Sequence, residues 1–476
     1  MNGTFIAEAA LLRLEWAILV YFLIVNTFYG FLLLSAARQM RHYSRQVRGE
    51  GRWRLLDSRL APRISMLAPA YNEAATIADS VRALLLLHYS NLEVVVINDG
   101  SRDATLAVLK ERFELRPVHP IFRRQIETRP IRGLYRSASH PSLLVVDKEN
   151  GGKADALNAG LQQATGDLVC AIDADTLIEP DALLRMVRPF LLRDDVAAAG
   201  GTIRVVNQSV VRDGRVVEAR VPGRALAGLQ TVEYLRAFLF GRLGWNWLGG
   251  NLIISGAFGL FRREPVIAAG GYAHDSVGED MELVLRLRRH GYEARAPRRV
   301  DFIPDPIAWT EVPETLRGLG RQRDRWHRGL ADALWRHRRV LFNPRYGALG
   351  LVVYPYFLFV ELLAPVVEAL GLLGLAIGLP AGVVNVPFAV LFFLAAYGYG
   401  LLLSALSLLL DELGFHRYGR MRDRFLLLLW ALLENLGYRQ LTVFWRLRGL
   451  VRFLRRRTEW GVMERRGFQR QAGPSK

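Results

Sequence analysis

The 476-residue chain holds a single cysteine, Cys170, inside an apolar run, so no intrachain disulfide and no thiolate metal framework can form. Lysine is almost as scarce, with four against 59 arginines. No P-loop and no G-x-G-x-x-G follows any of the expected strands, which speaks against P-loop hydrolysis and against dinucleotide chemistry. The formal charge of +18 is not spread over a nucleic-acid-binding face. Its basic clusters ("RQMRHYSRQVRGEGRWR", "HRYGRMRDR", "RLRGLVRFLRRR") flank long apolar runs, a placement that the positive-inside rule accounts for without nucleic acid.

Those runs cover residues 16–37, 346–378 and 386–410, and a fourth begins at Phe425 and is interrupted by Glu434, Asn435 and Arg439. About 20 apolar residues span a bilayer. The first run is too long for a signal-peptide core, and its basic residues follow rather than precede it. The expectation is a multi-pass protein of the plasma (inner) membrane in contact with its lipids. Residues 1–44 are expected to form an N-terminal membrane helix with its basic flank, 45–340 a cytoplasmic domain, 341–455 further transmembrane or re-entrant helices, and 456–476 a cytoplasmic tail. Glu361 and Glu368 fall on one face of 346–378, with Pro355 and Pro365 as expected kinks. Intramembrane carboxylates line polar paths or pack helices together.

Within 45–340, apolar segments at 63–73, 91–101, 142–150 and 167–176 alternate with helical patterns. This predicts βαβ units, a mostly parallel Rossmann-like sheet and a ligand crevice at the carboxyl ends of the strands. Three of these strands end in Glu73, in Asn98 with Asp99, and in the pair Asp173 and Asp175. An oxygen-rich, thiol-free set suits Mg²⁺ or Mn²⁺, though a lone D-x-D can equally be a turn that caps the next helix. Asp99 is suited to accept hydrogen bonds from a nucleobase or ribose. Lys153, at a helix start, suits a diphosphate or sits solvated on the surface. Glu279 and Asp280 precede a second helical pattern, as caps or with Asp280 as a general base. Gln322, Arg325 and Trp326 share an amphipathic helix expected near 313–338 at the membrane surface.

In order, "APAYNE", "INDGS", "GGKADALN", "DADT", "SGAFGLFRR", "GED" and "QRDRW" resemble the processive family 2 membrane glycosyltransferases, among them cellulose, hyaluronan and poly-N-acetylglucosamine synthases. The resemblance covers about 61–330 and implies an α/β GT-A domain joined to transmembrane helices. It implies that Asp99 and the loop of Ala70, Tyr71 and Glu73 hold uridine, and that Asp173 and Asp175 hold the UDP diphosphate, with Asp175 the main metal ligand. It further implies Asp280, beside Glu279, as the catalytic base. Gln322, Arg325 and Trp326 would bind diphosphate and stack the acceptor, and Ser255, Gly256 and Ala257 would lie beside the acceptor. The implied activity is inverting, metal-dependent polymerisation of a UDP-sugar into a β-linked polysaccharide coupled to its translocation. A non-processive transferase with a lipid acceptor and a non-catalytic export subunit are the alternatives. The base motif reads "GED" where many relatives have Thr before the acidic pair, and the insert 204–224 has no counterpart in the pattern.

Overall fold

The computed structural model describes residues 2–48, 61–119, 125–173, 176–212, 214–250, 252–378 and 386–456, with positions 380 and 382 between the last two stretches. The four expected strands form as β1 (Ile64–Ala70), β2 (Leu92–Asp99), β5 (Leu143–Lys148) and β6 (Leu168–Ile172). Around them lie β3 (Leu115–Val118), β4 (Ile131–Ser137), β7 (Leu177–Ile178), β8 (Val196–Val205), β11 (Phe258–Arg262) and β12 (Arg299–Thr310). The sheet order is β3-β4-β5-β2-β1-β6-β11-β8-β12-β7. Following the pairings, β1, β2, β3, β5, β6, β8 and β12 run one way and β4, β7 and β11 the other. The sheet is therefore mixed, with most strands parallel. This agrees with the mostly parallel sheet expected, but the antiparallel strand β11, which enters between β6 and β8, was not foreseen: its partners lie far away in sequence and leave no local signal.

Both faces of the central strands are buried, which is why they read as unbroken apolar runs rather than alternating ones. Met66, Val94 and Val96 face one core, while Leu67, Val95 and Ile97 face the other, the period-two division that a pleated strand imposes. The helix Lys153–Gln163 covers the second face, and its side chains Ala156, Leu157 and Leu161 belong to that core. The insert at 204–224 forms a hairpin, β9 (Val210–Arg212) and β10 (Arg215–Glu218), laid over a small core of Leu177, Val206 and Trp309.

Two of the described helices, Trp16–Arg45 and Leu349–Gly378, have the length and apolar composition to cross a membrane. The segment after Phe425 is a broken pair, Met421–Leu433 and Arg439–Leu454, with non-helical backbone at Leu436 and Gly437 between them. The α/β domain is tied to these helices by buried charge. Arg204 at the end of β8 pairs with Asp411, and Asp324 accepts from Arg448 and Arg452 at 3.0 Å each. At the other end, Tyr43 of the N-terminal helix donates to Asp305.

Candidate active site

Parallel pairing brings the carboxyl ends of β1, β2 and β5 side by side, with Ala70 opposite Asn98 and Asp99 opposite Lys148. The Asp99 carboxylate is buried there. It accepts from Lys148 Nζ at 2.7 Å, from the Gly151 and Gly152 amides at 3.0 and 2.8 Å, and from Asn150 Nδ2 at 3.2 Å. These bonds hold the loop that leads into the Lys153 helix. Beside it, the loop after β1 is stitched to the loop after β2: the Glu73 amide donates to Thr105 Oγ1 at 2.8 Å and the Ala74 amide to Asp103 Oδ2 at 3.1 Å. Tyr71, the first residue after β1, is exposed.

The second group lies one strand further on. Lys153, the first residue of its helix, donates from Nζ to Asp173 Oδ1 at 2.5 Å and lies 3.6 Å from Glu279 Oε1. Burial alone would lower the basicity of this ammonium, but Asp173 and Glu279 hold it above its ordinary value. Burial pushes the Glu279 carboxyl up, and Lys153 opposes that push. Glu279 and Asp280 are the first two residues of the helix Glu279–Glu293, not its preceding cap as the sequence suggested; the cap position is Gly278. Gly256 allows the close approach of this cluster, since a Cβ there would lie 3.0 Å from Asp280 Oδ2 and 3.4 Å from Lys153 Nζ. Asp175 lies outside the described residues. Among those described, no three His, Cys, Asp or Glu side chains cluster as a metal site. Asp173 nonetheless fits a hard divalent cation, because it lines the cavity as a carboxylate and such ions take one or two carboxylates plus substrate phosphates.

The helix Leu316–Arg336 forms the opposite wall, capped by Thr315 Oγ1, which accepts from the Gly318 amide at 3.1 Å. Gln322 is buried, and its Oε1 has no partner among the described residues. Trp326 is 45% exposed, with the Tyr234 ring near-parallel at 6.4 Å and the Arg323 guanidinium 4.4 Å above its own ring. Arg323 in turn donates to Glu233 Oε2 at 2.6 Å. Sequence reasoning missed Glu233, Tyr234 and Arg323. The available signal was a single charge, Glu233, inside the otherwise uncharged helix Ala225–Leu235.

One cavity of about 820 Å³ joins these pieces. Its lining includes Lys153, Asp173, Ser255, Gly256, Ala257, Glu279 and Asp280, and from the facing helix Gln322, Arg325 and Trp326. Ala70, Tyr71, Glu73 and Asp99 do not line it; they stand at the adjoining strand ends. The cavity continues to Glu361 and Glu368 in the second apolar helix. There Arg439 donates from Nε to Glu368 Oε1 at 2.9 Å, and Tyr356 Oη donates to Glu361 Oε1 at 3.0 Å.

The mixed sheet with acidic and cationic side chains at its strand ends agrees with the GT-A fold that the sequence resemblance implies. Over 93% of this chain and 99% of the other, the fold is that of mannosyltransferase PcManGT from Pyrobaculum calidifontis, solved with GDP-Man and Mn²⁺ (TM-score 0.53, 21% identity). Residues 65–269 match the model for glycosyl transferase family 2, and residues 168–403 match glycosyl transferase family group 2. Over 274 residues the chain is 31% identical to the poly-beta-1,6-N-acetyl-D-glucosamine synthase of Staphylococcus aureus strain COL, covering 57% of this chain and 56% of that protein. The corresponding synthase of Staphylococcus epidermidis is 30% identical over the same extent. The chain thus spans about half the length of the curated relatives it matches. It carries family 2 glycosyltransferase domains.

Proposed function

We propose that the protein is an inverting glycosyltransferase that adds sugar from a UDP-sugar to the end of a β-linked polysaccharide at the cytoplasmic face of a membrane. The synthase relatives make UDP-N-acetylglucosamine the first donor to test. The observation that carries this reading is the convergence of Lys153, Asp173, Gly256 and Asp280 at one end of a cavity whose other end lies between apolar helices.

In this reading the donor diphosphate lies against Lys153 and the start of its helix, and the uridine reaches toward Tyr71 and the Asp99 loop. Asp173, with Asp175 beside it in sequence, would hold Mg²⁺ or Mn²⁺, which supplies positive charge against the diphosphate when bound. Asp280 takes the proton of the acceptor hydroxyl as its oxygen attacks the anomeric carbon. The bond from that carbon to the phosphate oxygen breaks, and UDP leaves with the electron pair. The Lys153 ammonium offsets the charge that develops on the leaving oxygen. A single displacement inverts the anomeric centre, so an α-linked donor gives a β-linked product. Trp326 offers a ring face to the acceptor sugar, and the path past Glu361 and Glu368 would carry the growing chain into the membrane.

The test is purified full-length protein with a panel of UDP-sugars, reading UDP release and product length. Release with one donor and a lengthening product supports the proposal. A single sugar added to lipid would instead favour the lipid-acceptor alternative.

A further inference from the structure

Four arginines of the cavity wall are neutralised by carboxylates. Arg236 pairs with Glu434, Arg323 with Glu233 at 2.6 Å, Arg439 with Glu368 at 2.9 Å and Arg446 with Glu361 at 3.8 Å. Arg242 lines the same cavity and is half-buried, yet has no carboxylate partner among the described residues. Its neighbour is an aromatic ring: the guanidinium carbon lies 3.9 Å from the centroid of Phe238. A cation–π contact occupies one face of the guanidinium and leaves its in-plane N–H donors unused. Burial of a cation without acceptors is costly, so a ligand that supplies oxygens there is favoured.

The backbone around Arg242 is held firmly. The helix Ala225–Leu235 widens into a π-helical turn at Arg236–Phe240, a distortion frequent at functional sites; Arg236 and Phe238 reach the cavity from this turn, and Arg242 from the helical turn Gly241–Leu243 that follows it. Two residues beyond Arg242, Gly244 abuts the N-terminal helix so closely that a Cβ would lie 2.6 Å from the Leu32 carbonyl, and Ser35 Oγ donates to Gly244 O at 3.0 Å. Arg242 is thus fixed where the α/β domain meets the membrane-facing helices.

Its place against the N-terminal apolar helix puts it on the membrane side of the cavity, where the acceptor enters in the proposed reaction. Burial pulls the guanidinium down to about 10, still protonated at neutral pH, and the groups that counter this are Asp280, Tyr234 and Glu361. Asp280 is the assigned base, Tyr234 backs Trp326, and Glu361 lies along the exit, and all three line the cavity with Arg242. We propose that Arg242 is an acceptor-positioning residue, donating to a hydroxyl or N-acyl oxygen of the terminal acceptor sugar so that the attacking hydroxyl meets Asp280. This rests on the proposed transfer reaction and deepens it.

The test compares Arg242→Met and Arg242→Lys with wild type in detergent-purified full-length protein. The donor is UDP-N-acetylglucosamine and the acceptor a short β-1,6-linked N-acetylglucosamine oligosaccharide. Loss of one hydrogen bond to a charged donor should raise the acceptor KM roughly tenfold to a hundredfold in the Met variant. The donor KM, UDP affinity and pH–rate profile should stay unchanged, and the Lys variant should recover part of the loss. An unchanged acceptor KM with normal product length overturns the proposal. So does a parallel loss of UDP binding, or a shifted pH–rate profile at constant KM, since Arg242 would then serve the donor or tune Asp280. If the Met variant does not bind UDP because it fails to fold, the Lys variant alone decides, an unchanged acceptor KM again being the overturning result. A wild-type protein that releases no UDP from any UDP-sugar would sink the transfer reading itself, whereas an active wild type with an indifferent Arg242 sinks only this inference.

Discussion

Asp280 is half-buried at the first turn of its helix, its Oδ1 accepts from the next amide at 2.8 Å, and its Oδ2 faces Gly256. Asp280→Asn keeps that shape and removes the base. Transfer should fall at least about 100-fold, the scale of general-base loss, while calorimetry shows UDP affinity retained. Loss of UDP binding in the same variant would move Asp280 into the donor site. His327 makes a different prediction. Burial, together with the adjacent Arg446, lowers its pKa from 6.5 to about 3, so the folded protein keeps the ring neutral. Between those values the unfolded chain binds the extra proton, and stability therefore falls as pH falls, by up to about 1.4 kcal/mol per pH unit. His327→Gln should flatten the decline in thermal stability from about pH 7 to 5; an equally steep decline would show that other groups dominate. Among single residues, those legible in the sequence were the ones in short motifs at strand ends and helix starts, such as Asp173 and Lys153. Arg242 and Arg323 were not legible, because an arginine's role depends on which carboxylate or ring the fold sets against it.

The helix Leu316–Arg336 joins the two halves of the site, and its amphipathic pattern was readable. Its packing was not. Asp324, between Gln322 and Trp326 in sequence, turns away from the cavity to the helix Arg439–Leu454, where Arg448 and Arg452 hold it. On the cavity side Trp326 rests on Tyr234 and Arg323. Trp326→Ala should leave UDP binding nearly unchanged but shorten the product, because the chain end loses its orientation toward Asp280. Normal polymer at a normal rate would remove Trp326 from the acceptor site. Glu233→Gln tests the support beneath it. Arg323 would keep a neutral partner in place of a charge-assisted one, and the protein should lose on the order of 1–2 kcal/mol of stability, seen as a lower Tm. β11 illustrates the limit of sequence reading at this scale. Its glycine-containing motif was recognised as a site segment, but its antiparallel insertion between β6 and β8 depends on pairings about 60 to 90 residues distant.

Across the whole molecule, the alternation of apolar strands and helices announced the α/β domain, and the apolar runs announced the membrane-compatible helices. What no run or motif announced is the cavity that connects them. It is built by the domain's far wall, the Arg236–Phe240 turn and the helices that carry Glu361, Glu368 and Arg439. If that cavity is the site of synthesis, chelation by EDTA should stop transfer, and Mg²⁺ or Mn²⁺ should restore it; full activity in excess EDTA would show that transfer needs no metal. Polymer synthesis is read by incubating the purified full-length protein with UDP-N-acetylglucosamine and divalent metal, sizing the product and reading its anomeric configuration by NMR. A β-glycosyl polymerase releases UDP in step with a lengthening, β-linked polymer, and Asp280→Asn loses both. Folded, UDP-binding protein that forms no glycosidic product from any donor in the panel, or that forms an α-linked one, would contradict the proposed function.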